Sequence, residues 1–414
     1  MPDPIIFHCD CNAFFASVEE TFHPEYKQVP MAVAGDPANR HGIILAKNER
    51  AKKYGIKTAE TIHSAQRKCP ALLLCPPRHG AYGEFCGRIN AIYETYTDHV
   101  ERFSIDESFL DMTFFGGDAL SIAHEIRRRV ARETGVTISI GVSWNKIFAK
   151  MGSEYKKPDA VTEISRLNYR EILWPMPVGE LFMVGRNTAQ ALEKFGVRTI
   201  GDLARTDENF LRRQFGKMGD YLHGSSNGLD DSPVARVGEH DPAKSIGSGM
   251  TFRRDLVGEG EVRTGLLPLA DSVAARLRRA GVKCATVQVT IKDTALKSIT
   301  RQKSVRPTWL AADLVRACLE LIHASWPKDP PQKACGLSGD PRYKPIRLLT
   351  VTAQNLVPEE EAVEQLSLFD EPGASKDTEQ LERAVDGIRE KYGSGSIRHG
   401  SVLGSEIFTA PKNP

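Results

Sequence analysis

Phe103-Ser104-Ile105-Asp106-Glu107-Ser108-Phe109-Leu110-Asp111 is the stretch on which the reading of this chain turns. Phe103, Ile105 and Phe109 alternate with smaller or polar residues, the period of a β-strand. Two adjacent carboxylates, Asp106 and Glu107, sit in that apolar setting. Burying two anions side by side is costly unless a cation neutralises them. Neighbouring side chains of a straight strand point to opposite faces. For both acids to serve one site, the backbone must therefore bend, at a tight hairpin or a bulge. The alternative for this stretch alone is an edge strand with solvated acids.

A second stretch supplies what the first lacks. Ile5-Ile6-Phe7-His8-Cys9-Asp10-Cys11-Asn12-Ala13-Phe14-Phe15-Ala16-Ser17-Val18-Glu19-Glu20 reads as a short buried strand that ends in an acid and turns into a helix. Asp10 at the end of a core strand is a natural third ligand for a hard cation. Mg²⁺ prefers carboxylate, carbonyl and substrate-phosphate oxygens, which such a trio could share with a bound nucleotide.

Together the two stretches resemble the Y-family (translesion) DNA polymerases, and the likeness continues along nearly the whole chain. The resemblance implies template-directed addition of deoxynucleotides to a primer 3′-OH, at low fidelity, in tolerance of DNA damage. It implies two Mg²⁺ ions held by the catalytic acids Asp10, Asp106 and Glu107, with the Cys11 carbonyl helping. Phe15 matches the family's steric gate, a ring that collides with a ribose 2′-OH, and Phe14 beside it is expected to share in nucleotide binding. Lys157, in Lys156-Lys157-Pro158-Asp159, stands where the family pairs a lysine with the incoming triphosphate. A point charge there would stabilise the charge that builds up as pyrophosphate leaves.

The basic helix expected over Lys47 to Gly55 follows a strand, so its lysines could reach a triphosphate. Aligned on Tyr54-Gly55, the tyrosine and arginine of polymerase IV types are replaced by Glu49 and Lys52. Lys52 keeps the charge without arginine's fork. Glu49, and Asn12 in place of a second Asp, are closer to the polymerase V catalytic subunit. The pattern is thus bacterial polymerase IV type with some polymerase V-like features.

Length and composition agree with a multidomain protein. The chain has 414 residues, 41% of them hydrophobic and 26% charged, enough for two to four domains. The net charge of +2 hides two blocks of opposite sign. Arg276, Arg278, Arg279, Lys283, Lys292, Lys297, Arg301, Lys303 and Arg306 are opposed only by Asp293. Acids dominate from Glu359 to Asp386, a composition suited to solvent or a protein partner. The eight cysteines form neither CxxC nor zinc-ligand spacing, so Cys9 and Cys11 are read as small strand fillers. The N-terminus lacks the charged and apolar regions of a signal peptide, and no segment reaches transmembrane length. A cytoplasmic protein that binds no membrane is expected.

Interleaved strands and helices give an α+β fold class. The resemblance specifies a ferredoxin-like palm (1–30 and 78–165), small fingers (31–77), a helical thumb (166–234), a linker (235–244), an α+β little finger (245–357) and an acidic tail (358–414). Pro177 to Leu203 is similar to a helix-hairpin-helix, which grips DNA phosphates through backbone N–H groups. Met183 stands at that motif's usual first glycine. In the tail, Gln365-Leu366-Ser367-Leu368-Phe369 looks like the peptide that binds the bacterial sliding clamp (beta subunit). The implied partners are primer-template DNA, deoxynucleoside triphosphates and the clamp, with the polymerase itself a monomer. Two alternatives stand beside this reading. One is a non-catalytic clamp-bound adaptor, from which the acidic trio would be expected to be missing. The other is a polymerase V-like subunit that needs accessory proteins.

Overall fold

The computed structural model describes residues 3–36, 42–239, 241–326, 344–362 and 374–408. The chain divides near residue 240 into two compact units, taken here in turn.

The first unit runs β1 (Ile6–Cys11), α1 (Phe14–Phe22), β2 (Met31–Ala34), β3 (Ile44–Lys47), α2 (Glu49–Lys52), α3 (Ile62–Lys68), β4 (Leu73–Cys75) and α4 (His79–Tyr93). It continues with β5 (Val100–Arg102), β6 (Glu107–Asp111), α5 (Ala119–Thr134), β7 (Ile138–Ser143), α6 (Lys146–Tyr155) and β8 (Val161–Glu163). Five strands form one sheet in the order β5-β6-β1-β7-β8, with β1 at its centre, antiparallel to both neighbours. All six residues of β1 are buried because both faces of the sheet are covered. Phe7 and Cys9 join the core beneath α4 and α5, with Ile89, Val130 and Ile138. Ile6 faces the other way, packing with Phe109 and with Ala149 of α6.

Glycine sets how closely α6 lies on that second face. A Cβ on Gly141 of β7 would fall 1.8 Å from the Ala149 carbonyl oxygen, and one on Gly152 of α6 would meet the Gly141 Cα at 3.0 Å. Only backbone against backbone fits here. The side chains of α6 are thereby brought down onto the end of β1.

A smaller sheet, β3-β2-β4, packs with α2 and α3 around Ile44, Ile56, Ile62 and Leu72. Asn48 ties it together: its Oδ1 accepts from the Met31 and Ala51 N–H groups, and its Nδ2 donates to Glu20 and to the Val29 carbonyl. Helices α7 (Tyr169–Leu173), α8 (Arg186–Lys194), α9 (Ile200–Arg205), α10 (Glu208–Phe215) and α11 (Lys217–Ser226) pack around Leu192, Ile200, Leu203, Leu211 and Leu222. Thr199 and Asp202 cap α9 reciprocally. Met183 holds φ +66° and is 62% exposed, so the backbone keeps the left-handed turn despite the missing glycine. A Met183→Gly variant should gain about 0.5–1 kcal/mol in urea unfolding, the left-handed strain relieved less the added chain entropy. A loss of stability would count against that strain.

The second unit is a four-stranded antiparallel sheet, β11 (Ser298–Thr308), β10 (Val282–Asp293), β12 (Ile346–Pro358), β9 (Ser245–Leu256), under helices α12 (Glu259–Arg279) and α13 (Ala311–Ser325). Leu266, Val273, Leu277, Val287, Val289, Leu349 and Val351 fill the space between. The opposite face of the sheet carries rows of small hydrogen-bonding residues: Thr300, Thr290, Thr350 and Gly249, then Gln302, Gln288, Thr352 and Gly247.

Two expectations change here. The strand β11 went unread because Arg301, Lys303 and Pro307 mask its alternation. The acidic tail, expected to face solvent or a partner, is partly internal. Helix α14 (Ala374–Tyr392) sends Glu382 and Asp386 to Arg278, which is 3% exposed, and Glu379 to Lys283 at 3.7 Å. Two members of the basic block are therefore consumed inside the unit, and Lys303 pairs with Glu320. The residues of that block lie on α12, on β10 and β11 and in the turn between the two strands. Ile407 is buried in the same core, and its carbonyl accepts from the Arg253 N–H at 3.1 Å. The segment Gln365 to Phe369 lies outside the described residues.

Candidate active site

The acids meet through strand register. Asp10, near the end of β1, pairs directly across from Glu107, the first residue of β6. Alternation puts His8, Asp10 and Glu107 on the face covered by α6. The bend required of the acidic stretch is present: Phe103 to Asp106 form the β5–β6 turn, and the Phe103 and Ser104 N–H groups both donate to the Glu107 carbonyl. Phe103 and Ile105, read as strand residues in an apolar setting, sit in that turn and are 47% and 42% exposed. A turn this tight leaves no sheet neighbours to cover them.

Asp106 is half-buried. Its carboxylate accepts the Ser104 hydroxyl proton at 2.6 Å, and its carbonyl accepts from the Cys11 N–H at 3.0 Å. Among the described residues, the group of three acids whose carboxylate oxygens all lie within 4.8 Å of one another is Asp10, Glu107 and Glu154. Glu154, on α6, was not anticipated. Nor were Lys150, whose Nζ stands 2.6 Å from Glu107 Oε2, and His8, whose Nε2 is 3.5 Å from the same oxygen. Lys157 bridges Asp10 Oδ2 at 2.7 Å and Glu154 Oε1 at 2.6 Å. The Lys150 ammonium also lies over the Phe103 and Phe182 rings, at 5.4 and 5.5 Å from their centroids.

Burial dominates at Asp10 and pushes its carboxyl up to about 8 against the pull of Lys157. Burial also acts upward on Glu107, but His8 and Lys150 outweigh it and hold that carboxyl down at about 2. One acid is compensated and its neighbour is short of positive charge, the condition under which a further cation is favoured. The donor set is all oxygen, which suits a hard divalent ion.

The depressed Glu107 carries a stability prediction. A lowered acid pKa contributes stability that is complete above the unfolded value near 4.5 and is lost as pH falls toward about 2. Lys150→Met should therefore destabilise the protein more at pH 7 than at pH 3, read from urea midpoints. An equal loss at both pH values would remove Lys150 as the cause.

The other expected residues lie as follows. Phe15 is half-buried at the start of α1, stacked on Tyr82 with centroids 4.1 Å apart and planes 10° apart. Ala13, just before it, takes φ +48°, which turns the chain from strand to helix. Phe14 points into the core at 3% exposure, leaving its backbone as the part that can meet a nucleotide. Lys52 is exposed on α2, 3.7 Å from Glu49. Cys9 and Cys11 are buried as strand fillers.

Residues 9–154 match the model of the impB/mucB/samB family, and residues 243–368 match the model of that family's C-terminal domain. A DNA polymerase IV of Acetivibrio thermocellus is 42% identical over 403 residues, covering 96% of this chain and 97% of that protein. DNA polymerase IV 1 of Bacillus subtilis is 36% identical over 407 residues, covering 97% and 94%. Among solved structures, the Y-family DNA polymerase chimera Dbh-Dpo4(243-245)-Dbh superimposes with a TM-score of 0.71 at 22% identity, covering 86% of this chain and 99% of that one. The chain belongs to the impB/mucB/samB family and is similar over nearly its whole length to proteins named DNA polymerase IV.

Proposed function

We infer that this chain is a DNA-directed DNA polymerase that adds deoxynucleotides to a primer 3′-OH in translesion synthesis, with its chemistry at Asp10 and Glu107. The observation that carries this is the register of β1 and β6, which sets two acids opposite each other near the end of the central strand. Asp10, Glu107 and Asp106, with the Cys11 carbonyl, would hold two Mg²⁺ ions. When bound, such ions supply a lowered pKa at the primer hydroxyl and charge neutralisation at the leaving pyrophosphate. Lys150 fixes the Glu107 carboxylate, and the compact anchoring of α6 on Gly141 keeps Lys150 and Glu154 at that end of the sheet. Lys157, held on Asp10 here, is placed to transfer its hydrogen bonds to a triphosphate. Phe15 excludes the ribose 2′-OH, and Lys52 and the Phe14 backbone complete the nucleotide site.

The domains follow the boundaries given above. The palm comprises 1–30 and 78–165, the fingers 31–77, the thumb 166–234 and the little finger 245–357. The outer face of the little-finger sheet, its threonine, glutamine and glycine rows free of carboxylates, suits a DNA backbone. Lys292 shares that face, in register with Ser298 and Leu348. Gln365, Leu366, Ser367, Leu368 and Phe369 bind the sliding clamp, and the polymerase works as a cytoplasmic monomer. Among the described residues no helix is long and apolar enough to cross a membrane.

Primer extension by the purified chain, alone and then with a sliding clamp, tests this reading. Extension by the chain alone, lengthened by the clamp and not by a variant with Leu368 and Phe369 changed to Ala, is expected. No extension until accessory proteins are added would favour the polymerase V-like alternative. No extension under any condition would favour the adaptor.

A further inference from the structure

Phe15 does not stand alone. One face of its ring is covered by Tyr82, 4.1 Å away and nearly parallel, and its edge meets His79 at 6.3 Å. Tyr82 is fully buried, and its hydroxyl donates to Glu19 Oε1 at 2.7 Å. The same hydroxyl accepts from the Arg78 N–H at 3.0 Å, so both its donor and its acceptor capacity are used. Glu19 is itself fully buried and is held by Arg78 through Nε at 2.9 Å and Nη2 at 2.7 Å. The Arg78 guanidinium in turn lies over the Phe22 ring at 4.6 Å.

A buried carboxylate with no water to solvate it persists only where its partners are fixed. Nothing in nucleotide chemistry calls for Glu19, because its oxygens face Tyr82 and Arg78 rather than the acids at the end of β1. Its effect is to pin a phenol ring at one height and angle. That ring is the wall against which Phe15 would have to move to make room for a 2′-hydroxyl. A gate excludes by collision, and the collision is costly only if the ring cannot yield.

We propose that Tyr82, anchored by Glu19 and Arg78, is the positioning residue that stiffens the Phe15 gate and so sets discrimination between deoxyribose and ribose. The inference rests on the reading of Phe15 as the gate. Glu19 and Phe15 share helix α1, four residues apart, so Tyr82 clasps one helix at two points on the same face. The clasp fixes the ring relative to the backbone that carries it.

The test is the ratio of kcat/KM for a deoxynucleotide to that for the matching ribonucleotide, measured for wild type, Tyr82→Leu, Tyr82→Phe, Glu19→Gln and Phe15→Ala. A ratio is insensitive to the fraction of folded enzyme, so a variant that folds poorly still reports. Tyr82→Leu removes the wall and should lower the ratio about tenfold, the equivalent of losing a ring–ring stack and its packing. Tyr82→Phe keeps the ring without its anchor, and Glu19→Gln weakens the anchor; both should lower the ratio about two- to threefold. If both Tyr82 variants retain the wild-type ratio while Phe15→Ala admits ribonucleotides, Tyr82 has no part in discrimination. If Phe15→Ala itself leaves the ratio unchanged, the gate reading fails, and this inference with it.

Discussion

Phe15→Ala should admit ribonucleotides about 10²–10³ times more efficiently than the wild type, with a much smaller change for deoxynucleotides. The exclusion is steric. A packed ring in contact with the sugar cannot accommodate an added oxygen without forced displacement, and overpacking of this kind costs a few kcal/mol. Each 1.4 kcal/mol is a factor of ten. The stack on Tyr82 closes the route by which the ring would retreat. The measurement is single-nucleotide incorporation with matched ribo- and deoxyribonucleotides. A variant that discriminates as well as the wild type would move the gate elsewhere.

Asp10→Ala should lose at least about 10³ in the rate of nucleotide addition. The chemistry of phosphoryl transfer is chiefly positioning and neutralisation of charge, so a missing ligand is felt in the transition state. Asp10 is the most buried acid of the site, at 4% exposure, and is the partner both of Glu107 across the sheet and of Lys157. Removing it leaves Lys157, among the described residues, with Glu154 as its ion-pair partner. Thermal melting distinguishes a lost site from a lost fold. Burial of an undercompensated carboxylate is unfavourable, so the variant should melt no lower than the wild type.

The parts of the site legible in the sequence are those with local signatures. The short apolar run of β1 ending in Asp10, and the acidic pair at Asp106 and Glu107, marked the two ends that a cation would join. The register that sets Asp10 opposite Glu107 is a long-range fact, and nothing local in either stretch specifies it. His8 has no local mark of a site, and its ring packs on Phe109 at 4.6 Å. Its reach toward Glu107 depends on which face of the sheet α6 covers. Glu154 and Lys150 are charged residues on a helix, with nothing local that ties them to the acids. Their role arises because Gly141 and Gly152 let α6 descend onto β7. Gly141 was the available signal: a glycine inside a strand often marks a close approach of backbone.

In the second unit, the helices and the strands with clean alternation were readable, and the basic strand β11 was not. The acids of α14 looked solvated because sequence shows charge without showing its partners. Arg278 lies about a hundred residues away from them, on α12.

The most direct measurement is single-nucleotide addition by the purified chain with Mg²⁺, with each of the four template bases presented to each of the four deoxynucleotides, and with Asp10→Ala run in parallel. Addition should follow the template base and be lost in the variant. Addition indifferent to the template, or addition that persists in Asp10→Ala, would contradict template-directed chemistry at Asp10.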